Sequence, residues 1–146
     1  MFHKRRALLN DLRNQVLGIN RFAGCWIQRK SPSRNAWPSV TIYFESEQAE
    51  ITTIHAAPRN QLRTLLVGIS VWRLPSQDAE QVEIDLDADS LAIESALHSP
   101  SAADDCRLMS TDVLIAENDQ GDIELYELKL TYQIIYRTNE FNPQPN

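Results

Sequence analysis

The sequence predicts an α+β fold: a single domain with an antiparallel or mixed β-sheet and two α-helices packed on one side. Three observations carry that prediction. The stretch Ile123–Thr138 (IELYELKLTYQIIYRT) puts Tyr126, Leu128, Leu130, Tyr132, Ile134 and Tyr136 on even positions, and Glu127, Lys129, Thr131, Gln133 and Arg137 on odd ones. Such alternation, rich in aromatic and β-branched residues, marks a strand with one dry and one wet face. Two other stretches repeat apolar residues at three- and four-residue steps, as helices do. The remaining apolar runs are short and bounded by Pro, Asn, Gly or acidic clusters, as strands joined by turns are.

Taken in order, Phe2–Ile19 reads as a helix, with Leu9, Leu12, Val16 and Ile19 as its stripe, Leu8 widening it, and Gly18 or Asn20 ending it. Ala23–Gln28 is a short strand. Arg29–Pro38 (RKSPSRNAWP) is a basic, Pro-punctuated loop, in which Trp37 either folds back onto the core or meets a partner. Ser39–Phe44 is a strand, Glu45, Glu47 and Glu50 form an acidic turn, and Ala49–Ala56 is a further strand with weaker alternation. Gln61–Leu74 is a long strand with Leu65, Val67, Ile69 and Val71 on one face. Gly68 and Ser70 lie opposite, small enough to admit another layer or to mark a bulge. Pro75 and Ser76 announce a second helix running to about His98, with Asp78 and Glu80 in its first turn and Ala79, Val82, Leu86, Ile93, Ala96 and Leu97 in its stripe.

After a loop, Leu108–Ala116 is a strand, and Glu117–Asp122 is a hairpin turn with Gly121 supplying positive φ. At about 3.3 Å per residue the final run would reach about 50 Å, so it is expected to bend, twist or extend beyond its own sheet. Ile123, Leu125 and Ile135 break its polar face, which predicts partial cover there too. The domain is read as residues 1–138, and 139–146 as a polar, disordered tail.

Charge is unevenly placed along the 146 residues. Residues 1–34 carry eight Lys/Arg against one acid, Asp11, and the rest carry six basic and nineteen acidic side chains, for a net −6. Such asymmetry suits a nucleic-acid patch, a positive surface that meets a negative one on a neighbouring copy, or a solvated helix face. No apolar run is long enough to cross a bilayer, so no membrane partner is expected. The N-terminus lacks the apolar stretch of a signal peptide, and a reducing, intracellular setting is the default. Cys25 and Cys106, far apart in sequence, are expected as two lone thiols, with a disulfide as the alternative.

Motifs for chemistry are sparse, and neither a cofactor nor a metal is expected. Asp112, Glu127 and Lys129 resemble the acid-x-Lys arrangement of a Mg²⁺-dependent nuclease, the one enzymatic alternative. The same letters arise on the wet face of any charged strand. Asp85, Asp87 and Asp89 echo the start of a calcium loop. Ser90 stands where that loop needs Gly, and Ala96 where it needs Glu, so a solvated acidic helix face is expected instead. His3, His55 and His98 have no metal-ligand spacing. This poverty of reactive motifs argues for a binding or assembly protein rather than an enzyme.

The order of elements, with PSVTIYFESEQAE, RTLLVGISVWRL, LAIESAL, TDVLIAENDQGD and LKLTYQIIYRT, resembles the tail terminator and minor tail (tail-completion) proteins of long-tailed bacteriophages and prophages. The phrases Arg63-Thr64-Leu65 and Leu130-Thr131-Tyr132 through Tyr136-Arg137-Thr138 carry the resemblance most closely. It implies a structural subunit of the virion tail, assembled in the host bacterial cytoplasm as a homo-oligomeric ring, usually a hexamer. Such a ring caps the tail tube, ends its polymerisation and docks the head connector. Its implied partners are other copies of itself, the tail tube protein and a head-completion or connector protein, with transient contact to DNA in the lumen. Another head–tail joining or tube-like virion protein is the alternative of the same class. The contact segments expected are Arg29, Lys30, Arg34 and Trp37 of the basic loop and Glu45, Glu47 and Glu50 of the acidic turn.

Overall fold

A computed structural model describes residues 3–27, 31–32, 35–51, 60–97 and 103–139. The first helix, α1 (Lys4–Leu17), buries Leu8, Leu9, Leu12 and Val16. Its first turn is capped by His3, whose Nδ1 accepts from the Arg5 N–H at 3.0 Å. It stops at Gly18, and Asn20 then takes a left-handed φ of 58°. Strands β1 (Gly24–Ile27), β2 (Ser39–Ile51) and β3 (Asn60–Arg73) follow, then helix α2 (Ala79–Ala96), β4 (Asp105–Glu117) and β5 (Ile123–Asn139). The Asp78 carboxylate caps α2 by accepting from the Gln81 N–H. Asn118 and Gly121, with φ of 81°, form the β4–β5 hairpin turn.

The sheet order is β1-β2-β3-β5-β4. β1 runs parallel to β2, and every other pair is antiparallel. The sheet is therefore mixed, and β5 is inserted between β3 and β4. This position accounts for its length. β3 pairs with residues 126–139 and β4 with residues 123–135, so two offset neighbours give β5 a partner strand on at least one side along its length and on both sides over 126–135. Of the three outcomes expected for so long a run (bending, twisting or extending beyond its sheet), the last is not what accounts for its length: each end of β5 stays alongside one neighbour.

One face of the sheet carries Val40, Ile42, Leu65, Val67, Ile69, Val71 and the even positions of β5 from Tyr126 to Tyr136. These join the stripes of both helices in one apolar core. α1 packs at the β1 side of the sheet and α2 over β3 and β5. Among the described residues no helix covers the opposite face.

The separate strand, acidic turn and strand expected over residues 39–56 are one continuous strand through Ile51, and residues 52–56 lie outside the described part. The cause is a bulge between Phe44 and Ser46, which places one extra residue, Glu45, in β2. It reverses the alternation, so Glu47 rather than Ser46 returns to the helix-covered face. Cys25 lies on β1 and Cys106 on β4, at opposite sheet edges, and both are free thiols. Burial raises the pKa of Cys25 to about 12, and burial plus Asp105 raises that of Cys106 to about 11.

Candidate assembly surface

Of the expected contact residues, Arg29, Lys30 and Arg34 lie outside the described part of the chain. Trp37 is half-buried beside a cis Trp37–Pro38 bond, where the Pro38 carbonyl accepts from the Ala23 N–H at 2.8 Å. Glu50 is exposed near the end of β2. Glu45 and Glu47 are engaged within the fold.

The Glu47 side chain is 8% exposed and accepts from Arg5 and Arg63, each at 3.0 Å, and from the Tyr136 hydroxyl. Arg63 also donates to Thr138 Oγ1 at 2.8 Å and Gln61 Oε1 at 3.0 Å. This network fastens the first turn of α1 to β2, β3 and β5. The Arg5 guanidinium also stacks 4.7 Å above the Phe44 ring. Burial, with repulsion from Arg5 and Arg63, pulls the His3 pKa below 6.5. The neutral imidazole therefore belongs to the folded state, and the unfolded chain binds the extra proton. Stability should be complete above pH about 6.5 and fall as pH drops from there toward the folded pKa. His3→Asn, which keeps a capping side chain, should flatten that slope in urea melts taken between pH 7.5 and 5. An unchanged slope would contradict the assignment.

A second buried carboxylate lies at the other end of the molecule. Asp89 on α2 is fully buried. Arg73 at the end of β3 grips it in a fork, Nε to Oδ2 at 2.5 Å and Nη2 to Oδ1 at 2.8 Å. Arg21 adds a bond to Oδ1 at 2.5 Å and one to the Asp85 carbonyl at 3.3 Å. The expectation that Asp85, Asp87 and Asp89 form one solvated face is thus corrected for Asp89: at its helical position it points at two guanidiniums. Of the three, Asp87 is exposed and Asp85 half-buried.

The helix-free face carries a chain of polar and aromatic contacts. Glu45 pairs with Lys129 at 2.7 Å, and the Lys129 ammonium lies 5.7 Å from the Tyr43 ring. Tyr43 crosses β3 on top of Gly68, where an added Cβ would sit 2.4 Å from its Cζ. Ser70 donates to Glu127 at 2.6 Å, and Trp72 Nε1 donates to Thr41 at 2.9 Å. The small residues at 68 and 70 therefore admit a side chain from β2 as a thin second layer. Gly68→Ala must displace the Tyr43 ring, and a loss of about 1–3 kcal/mol in denaturant unfolding is expected. A neutral result would mean that the ring is not seated there.

Asp112 faces Lys129 across the β4–β5 pairing, and Leu114 faces Glu127. The nuclease trio thus does share a face. Lys129, however, is held by Glu45, whose hydrogen bond raises its pKa. Glu127 is held by Ser70. Among the described residues no group of three or more His, Cys, Asp and Glu could hold a metal ion.

The surface that sequence reasoning missed is the β4 edge. Among the described residues β4 hydrogen-bonds to a strand on one side only, at the end of the sheet. Residues 109–117 are all exposed, including Met109, Val113, Leu114 and Ile115, each about half open to solvent. The strand has no Lys or Pro to discourage further pairing. On the helix side a groove of about 220 Å³ runs between α2 and β4, lined by Glu83, Leu86, Asp87 and Val113. On the open side a pocket of about 120 Å³ is walled by Trp72, Leu114, Ile115, Ala116, Leu125 and Glu127. The signal in the sequence was the apolar run VLIA, which a strand buried on both faces would also show.

Among the described residues no helix is long and apolar enough to cross a membrane. No protein-family model and no curated protein sequence matches the chain. Among solved structures it is similar to a chain described as "Virion of native gene transfer agent (GTA) particle", at 14% identity and a TM-score of 0.49, over 94% of this chain and 100% of that one.

Proposed function

We propose that this chain is a structural virion subunit of the tail-completion type. Copies of it form a ring that caps the tail tube, ends tube polymerisation and docks the head connector. The observation that carries the reading is an open sheet whose two edges, unpaired among the described residues, have unlike chemistry, β1 beside a basic helix and β4 beside an acidic one. A heterologous contact between unlike patches is what ring closure requires. The sequence resemblance to tail-completion proteins adds the place in the virion. The same edges would also serve a tube-like subunit, in which the contact repeats without closing.

Electron microscopy of the purified chain, alone and with a cognate tail tube protein, separates the outcomes. Closed rings, seated on tube ends and halting tube growth, are expected. Open tubes built from this chain would favour the tube-like alternative. Absence of any assembly under both conditions would overturn the proposal.

A further inference from the structure

We infer that the copy-to-copy contact is made by the β4 edge of one subunit and the β1 edge of the next, with the acidic flank of α2 set against the basic flank of the neighbour's α1. This rests on the ring reading above and names its interface. Two features of the β4 edge leave it incomplete. Among the described residues no strand pairs with its outer side, and Val113, although on the helix-covered face opposite Leu128, remains 51% exposed because α2 does not reach over it. A sheet that continued into a neighbour would satisfy the first. A helix from that neighbour, lying beside α2, would cover the second.

The neighbour's β1 edge supplies both. α1 packs at the β1 side of its own sheet, on the same face as α2. Sheet extension preserves that face, so the incoming α1 would lie over the junction, next to the groove formed by Glu83, Leu86, Asp87 and Val113.

Charge selects this pairing over β4 against its own copy. Residues 74–128 contain fifteen acids and one base, Arg107. A two-fold β4–β4 contact would bring Asp112 and the α2 carboxylates toward their own copies, which costs free energy. α1 instead offers Arg6 and Arg13, seven positions apart and on one flank, neither of them in the Glu47 or Asp89 clusters. Arg5 and Arg21 are held in those clusters and Lys4 donates to the Arg137 carbonyl at 3.0 Å, whereas Arg6 and Arg13 stay on this flank.

A charge-swap pair tests the assignment. One variant carries Glu83→Lys and Asp87→Lys, and the other carries Arg6→Glu and Arg13→Glu. All four positions are on helix surfaces outside the core, and circular dichroism melts check that each variant folds. By sedimentation velocity each variant alone should self-associate about tenfold or more weakly than the wild type. An equimolar mixture should regain assembly, because each swapped flank then meets its complement on the other variant. If the wild type assembles and both variants do so equally well, the interface assigned is wrong while the ring reading stands. If the variants weaken but mixing restores nothing, the pairing of these two flanks is wrong. A wild type that stays monomeric, alone and with tube protein, overturns both.

Discussion

Asp89→Ala is expected to lower the unfolding free energy by about 3 kcal/mol, the lower end of the range for breaking a buried ion pair. For a chain of this size the loss should appear as a fall in Tm of roughly 6–12 °C. Asp89 is fully buried, while Arg73 and Arg21 keep 18% and 33% of their side chains exposed. The guanidiniums left behind can therefore reach water in part, which keeps the cost below the upper end of that range. Asp89→Asn retains the shape and one acceptor and should cost less. The carboxylate also ties α2 at once to the end of β3 and to the segment after α1. Hydrogen exchange in Asp89→Ala should accordingly rise first at the α2 amides near position 89. A loss under 1 kcal/mol would mean that apolar packing alone holds α2.

Glu47→Ala should cost about 2–3 kcal/mol, since it strands Arg63, the Tyr136 hydroxyl and Arg5 without their shared acceptor. Glu47→Gln keeps a neutral acceptor for Tyr136 and should lose roughly half as much. The test of a shared network is non-additivity: Arg5→Ala in the Glu47→Ala background should add little beyond the loss of its contact with Phe44. Full additivity in denaturant melts would show that Arg5 and Glu47 act independently. A fall in helical signal that precedes global unfolding in Glu47→Ala would be the mark of α1 fraying from its N-terminal turn.

Both clusters show why much of the fold, but little of the surface, was legible in the sequence. Periodicity located α1, α2, β3 and β5 because a residue's face depends on its neighbours within a few positions. ESEQAE reads as a turn for the same local reason: a window sees three glutamates and no apolar partner. What holds that segment extended is remote. Lys129 reaches Glu45 from β5, and Arg63 and Arg5 reach Glu47 from β3 and α1. Asp89 reads as solvated until Arg21, 68 positions away, is placed against it. The edge position of β4 was equally hidden, because strand order follows from β5 entering between β3 and β4, which no residue within β4 announces. Exposure at Val113, Leu114 and Ile115 is a property of that order and not of their letters.

The most direct measurement of whether this sheet exists to join copies is sedimentation velocity on the wild-type chain from micromolar to its highest soluble concentration, alone and with tail tube protein. A single larger species of fixed mass, growing at the expense of monomer and rising no further once formed, is the predicted result, since unlike edges that close must stop. A lone monomer at every concentration and in both mixtures would contradict it.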